Sequence, residues 1–310
     1  MRRPSLAALA LVGAVVASTA TAASSRPPRV VAKVRTGGDP IGLAVGAGSL
    51  WAANYTGDRL ERIDMARNRI SARIPLGNAP YATAFGAGSV WVSSFDSGNV
   101  SRVDPATNRI VARVDAGVEQ AGLAATGTDV WVAVYGRGQI VRIDPAANAV
   151  TARINVGGNP EDVVLAAGAA WVPNENGTVS RIDPATNAVT ATIRVGADPD
   201  NAVFCRGRLW VSSLRGPRLY VIDPAKNAVA ARVRAGTGSV GLACSRVLWV
   251  ANYDTGQVLK IDLVRRSVLR RLAVGIQPRE VELGAGAVWV SNQGSGTVSR
   301  SGRRRYCSAL

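Results

Sequence analysis

The chain has 310 residues, 37 Lys and Arg against 21 Asp and Glu, and no His. The missing imidazole excludes Ser-His-Asp and Cys-His catalysis and the usual His-containing zinc sites. A net charge of +16 suits nucleic acid, phosphate-rich wall polymers or other anionic partners, but the arginines sit at repeated positions rather than in one run, which equally describes a solvated surface.

In chain order, Arg2 and Arg3 precede an apolar run from Leu6 to Ala17, and Ala20-Thr21-Ala22 follows as an A-x-A site. This is the pattern of a cleaved secretory signal peptide over residues 1–22, with an apolar run too short to span a bilayer. The Arg pair also occurs in twin-arginine signals. The remainder is expected to be exported, as a short linker (23–28), a repeat region (29–301) and an irregular basic tail (302–310).

The repeat is marked by Trp51, Trp91, Trp131, Trp171, Trp210, Trp249 and Trp289, at steps of 40, 40, 40, 39, 39 and 40 residues. A period near 40 with several short strands per unit predicts a β-propeller. Each unit reads as four strands, A to D: in the first, "IGLAVGAG", "SLWAANY", "RLERID" and "RISARIPL". Strands A and B are apolar on both faces, as sheets sandwiched between neighbours should be, and the Trp supplies packing area. Strand D alternates, with Ile70, Ala72 and Ile74 inward and Arg69, Ser71 and Arg73 outward. Charges on that outer edge discourage sheet-to-sheet association. The C–D connections "DPATN", "DPAAN" and "DPAKN" are tight-turn sequences, so their aspartates read as structural.

The last unit has no strand D, whereas "RVVAKVRTG" (29–37) aligns with "RISARIPLG" one period earlier than the first unit's own. We therefore expect an all-β, seven-bladed propeller of four-stranded antiparallel blades, with the N-terminal strand completing the last blade and a monomeric ring.

In such a ring the D–A and B–C loops open on one face around the channel. The positions ten and nine residues before each Trp should lie at its mouth, and unlike the strands they vary. Tyr81, Glu161, Asp162, Asp200, Asn201, Arg279 and Glu280 are the candidate ligand-binding residues there, with Glu175 and Asp198 on neighbouring loops. Carboxylates on a basic chain suit a cationic ligand, or Mg²⁺ or Ca²⁺ held by Glu161, Asp162 and Asp200; they read equally as loop charges balanced by arginines. A second ring, three residues after each Trp, includes Asn174, Asn252 and Asn292, which either offer hydrogen bonds to a ligand or cap the B–C turns. Tyr55, Tyr135 and Tyr253 stand beside it as stacking candidates. Cys205 and Cys244 occupy equivalent places in adjacent blades and form a candidate disulfide; Cys307 is the odd thiol.

"LWVANYDTGQVLKID" (248–262), with "DPATNRIVARV" (104–114) elsewhere, resembles the YVTN-type repeat of bacterial seven-bladed propellers over almost the whole repeat region. The wider group includes streptogramin B (virginiamycin B) lyases, which are similar in blade number and in a Trp-centred strand B. That resemblance implies elimination on a cyclic depsipeptide with a catalytic His, a Glu and Mg²⁺. The His has no counterpart here, and Glu175 or Glu280 would fill the acidic role. The expected function is a non-catalytic exported scaffold holding a small molecule, peptide or protein on the channel face, with no required cofactor. A lyase-like enzyme is the alternative, and nucleic-acid or anionic-polymer binding through the Arg rows is a further one.

Overall fold

Every Trp-centred unit forms one sheet of four antiparallel strands, and seven such sheets make the ring. The computed structural model describes residues 29–302. The expected signal peptide, the linker, Cys307 and the tail beyond Gly302 lie outside the described residues. Blade 1 comprises β2 (Pro40–Gly46), β3 (Ser49–Asn54), β4 (Arg59–Asp64) and β5 (Arg69–Pro75). Blades 2 to 6 follow as β6–β9 (residues 80–115), β10–β13 (120–155), β14–β17 (164–194), β18–β21 (199–234) and β22–β25 (239–273). Blade 7 combines β26 (Pro278–Gly284), β27 (Ala287–Asn292) and β28 (Thr297–Gly302) with β1 (Arg29–Arg35), which pairs antiparallel to β28 from Arg29 opposite Gly302 to Arg35 opposite Thr297. The N-terminal strand closes the ring, as expected. Among the described residues no helix is long and apolar enough to cross a membrane.

The core consists of seven apolar clusters, one at each seam between successive blades. At the closing seam, Trp289, Val298 and Val34 of blade 7 pack on Leu43, Leu50 and Ile63 of blade 1. All seven Trp are buried, and the Trp51 indole N–H donates to the Gly46 carbonyl at 3.0 Å. The C–D aspartates hold turns: Asp104 accepts from the Ala106 N–H at 2.9 Å, and Asn108 adopts a left-handed φ of 56°.

The sequence reading missed a polar clamp at the seams. Arg62, directly opposite Trp51, lies 5.0 Å from that ring and donates to the Pro105 carbonyl (2.8 Å) and Asn108 Oδ1 (3.0 Å) in the next blade's turn. Arg102, Arg142 and Arg181 repeat the arrangement, and Arg300 reaches Asn68 Oδ1 at 3.1 Å across the closing seam. Arg113 and Arg153 on the outer strands donate to the Leu76 and Ala116 carbonyls of preceding blades. Much of the arginine excess therefore ties blades together. Arg102→Ala should lower stability by about 1–3 kcal/mol, because it removes a charged donor and a cation–π contact and orphans a turn carbonyl; a denaturant titration would read it.

Two seams lack the clamp. Lys260 of blade 6 has no turn to reach, since β28 and β1 are not joined in sequence, and Val221 of blade 5 replaces the Arg opposite Trp210. At that second seam Cys205 and Cys244 form a disulfide with a Cα separation of 5.8 Å. The candidate bridge is present, and it stands where the repeat's own polar tie is missing.

Candidate functional site

Six blades start their inner strand with a Pro or a polar residue paired to the second strand and then shift register by a bulge; blade 4 departs from them. Its β14 is only Val164–Ala166, with an isolated bridge from Pro160 to Asn174 before it. Pro173 in β15 (Ala169–Asn174) has no N–H to offer the ladder at this point, which shortens the pairing. The residues released between bridge and strand are Glu161, Asp162 and Val163, and all three line the channel.

The channel cavity measures about 210 Å³, and its wall includes Tyr81, Thr83, Glu161, Asp162, Asp200, Asn201, Arg279 and Glu280. The channel-mouth residues expected from the variable ring thus converge. Arg279 Nη2 donates to the Tyr81 hydroxyl at 2.5 Å; its guanidinium lies 5.9 Å from the Tyr81 and Tyr253 rings and 3.9 Å from Asp200. Asp162 Oδ2 accepts from the Ala202 N–H at 3.3 Å and Asn201 Oδ1 from the Leu242 N–H at 3.2 Å, so both also bridge adjacent blades. Glycine makes the approach: a Cβ at Gly122 would lie 2.7 Å from Asp162 Cα, and one at Gly241 2.7 Å from Glu280 Cα. Gly122→Ala should therefore push blade 4's inner strand outward and cost about 1–3 kcal/mol, seen as a lower Tm.

Four carboxylates and one guanidinium line this cavity, and their burial shows in the carboxylates' proton affinities. Burial, reinforced by Asp200, pushes Glu161 up to about 8. Burial raises Asp162 to about 7, raises Asp200, and lifts Glu280 well above the usual carboxylate range with help from Asp162. Burial also pushes Tyr81 to about 12. For Arg279, burial opposes the charge, but Tyr81, Asp200 and Glu161 outweigh it and keep the group ionised. The side chains of Glu161 and Asp200 accept no hydrogen bond from the described residues.

The other candidates separate from this cavity. Glu175 accepts from the Tyr135 hydroxyl and from Asn159 Nδ2 (3.2 Å) and lies 3.8 Å from Arg215, in a cleft beside blades 4 and 5 that also contains Asp198. The Tyr135 hydroxyl holds Glu175 below its ordinary range, while burial raises Asp198 despite Arg215. Asn174, Asn252 and Asn292 are fully buried or nearly so. Asn174 and Asn292 donate to Ser180 and Ser299, and Asn252 caps its turn by accepting from the Thr255 N–H at 3.1 Å. The structure places these amides in the frame and not on the channel wall, because the third residue after each Trp points between strands. Glu161, Asp162 and Asp200 share a cavity, but among the described residues no three His, Cys, Asp or Glu side chains converge to hold a metal ion.

Thr83 and the clamp arginines went unread in the sequence. The arginines had a signal, ten or eleven residues after five of the seven Trp; Thr83 had none.

No family model and no curated protein matches the sequence. Among solved structures, the chain is similar to Kuenenia stuttgartiensis hydrazine synthase, with a TM-score of 0.77 and 17% identity over 86% of this chain and 96% of that one. The likeness is one of fold.

Proposed function

We propose that this protein is an exported, non-catalytic propeller scaffold that holds a positively charged ligand at its channel mouth. One observation carries the reading: Glu161, Asp162, Asp200 and Glu280 line one cavity with Arg279 as the only cation among its lining residues. Unbalanced carboxylates of this kind are costly unless a cation or protons neutralise them. The Cys205–Cys244 disulfide supports an oxidising compartment. The arginines at the seams are engaged with neighbouring blades, which weakens the case for a nucleic-acid surface.

A second reading has one observation in its favour. Glu161, raised to about 8 and set beside Arg279 and Tyr81, has the proton affinity of a general base at neutral pH. Glu175, by contrast, is held low by Tyr135 and makes a weak base. Incubation of the folded protein with a streptogramin B and Mg²⁺, followed by chromatography, separates the two readings. The scaffold reading expects unchanged substrate; accumulation of the ring-opened isomer, lost in Glu161→Gln, would replace it with the lyase.

A further inference from the structure

Blade 4 also departs from the repeat at its outer edge, and we infer that this edge, β17 (Ala188–Arg194), is where two copies of the chain join by antiparallel strand pairing. It lies outside the channel, and pairing there does not depend on what the channel holds.

The seven outer strands can be compared place by place. Each one ends its sheet, so each presents a row of unpaired N–H and C=O groups. At the fifth place six of them carry a cation: Lys33, Arg73, Arg113, Arg153, Arg232 and Arg271. β17 has Thr192 there, and its one charge is Arg194 at the very end. Packing at the seam does not explain the change. Ser180, opposite Thr192, donates to the Val156 carbonyl at 3.1 Å, and Ser299 makes the same bond to the Val274 carbonyl at 3.3 Å in blade 7, where Lys33 is retained.

Exposed apolar side chains show the same split. Val111 on β9 is 55% exposed and Leu269 on β25 is 47% exposed, but the first lies between Arg109 and Arg113 and the second beside Arg270 and Arg271. Val189 on β17 is 37% exposed, and it is followed by Thr190, Ala191 and Thr192. Flanking charges are what keep exposed edges from pairing, and here they are missing. Val and Thr are also among the side chains that pair best across strands.

Charge selects the occupant. An acidic strand would be drawn to the six cationic edges before this one, and a basic strand is repelled by a chain of net charge +16. An uncharged, β-branched strand fits, and every copy carries one. Self-pairing of any other outer strand would bring at least one cation from each copy into the contact, whereas paired β17 strands meet through Val, Thr and Ala, with Arg194 at the two ends. Such a contact uses up the edge on both copies, so it closes as a two-fold dimer in place of the expected monomeric ring.

Sedimentation velocity over a concentration series at fixed ionic strength tests this. We expect a monomer–dimer equilibrium without larger species, and a weak one, because the contact is small. Added salt should strengthen it by screening the repulsion between two positive rings. Thr192→Arg, which restores the residue of five sister strands, should weaken dimerisation by about tenfold or more with an unchanged melting curve. Thr190→Lys, at another exposed place on β17, should do the same, and Ser71→Arg on the outer strand of blade 1 should change it less than about twofold. A chain that stays monomeric at every concentration, a dimer that survives both β17 substitutions, one lost equally in Ser71→Arg, or growth beyond the dimer overturns the inference.

Discussion

Reducing the Cys205–Cys244 disulfide, or replacing both cysteines by Ser, is expected to lower the Tm by about 5–10 °C, more than the loss of any single Arg clamp. The estimate follows from a covalent link across 39 residues, worth about 2–4 kcal/mol, in a ring of this size. The location matters as much as the magnitude. Val221 has no guanidinium to reach the turn of blade 6, so once the bridge is gone this seam is held by its apolar cluster, the Asn201 bond to Leu242 and the Gly238 N–H bond to the Leu214 carbonyl. Hydrogen exchange should therefore quicken first in β18–β25, the strands on either side of that seam, and leave the seam between blades 2 and 3 protected. Uniform acceleration around the ring would show instead that the blades open together and that the bridge serves no particular seam.

Stability is expected to fall as the pH rises from about 5 to about 8, by an amount on the order of 3 kcal/mol, in the protein without added cation. Glu161 is raised to about 8, and Asp162 and Glu282 to about 7, chiefly by burial. The folded state thus keeps protons that the unfolded chain releases above its ordinary carboxylate range. Stability from these groups is full below that range and is lost as the pH climbs through the raised values. Glu161→Gln should flatten the slope and raise the Tm at pH 8. A steady or rising Tm between pH 5 and 8 would mean that the channel carboxylates are neutralised in another way. The turn aspartates act in the opposite sense at low pH. Asp64, bonded by Arg67, and Asp104, bonded by the Ala106 N–H, sit below their ordinary values, and their contribution is lost as the pH drops beneath about 4. The two limbs leave a maximum in mildly acidic solution. Binding of a cation in the channel near pH 7 should release protons from Glu161 and Asp162, detectable as a buffer-dependent binding enthalpy.

Much of the architecture was legible before any coordinates. The Trp period, the strand lengths, the Asp-Pro turns and the N-terminal strand's match to a missing fourth strand are local patterns repeated seven times, so each copy corroborates the others. The variable positions ahead of each Trp also named most of the channel wall: Tyr81, Glu161, Asp162, Asp200, Asn201, Arg279 and Glu280 meet there. What the pattern could not separate was two rings of similar polarity. Asn174, Asn252 and Asn292 recur as regularly as a site would, yet they are buried within the frame, because period alone says nothing of which way a side chain points where strand becomes turn.

Tertiary structure decided the rest through contacts between residues far apart in the chain. Arg279 and Tyr81 are 198 positions apart and share a hydrogen bond because the ring brings blades 7 and 2 to a common axis. The arginine opposite five of the seven Trp looks like surface charge until the next blade's turn is placed within 3.2 Å of it, and Val221 looks like a chance departure from the repeat until the seam it faces is found to carry the disulfide. A repeating sequence specifies the blade, since strand pairing and turn chemistry are local. The closure of seven blades determines which charges face one another across the channel, and the electrostatics of the site follow from that geometry.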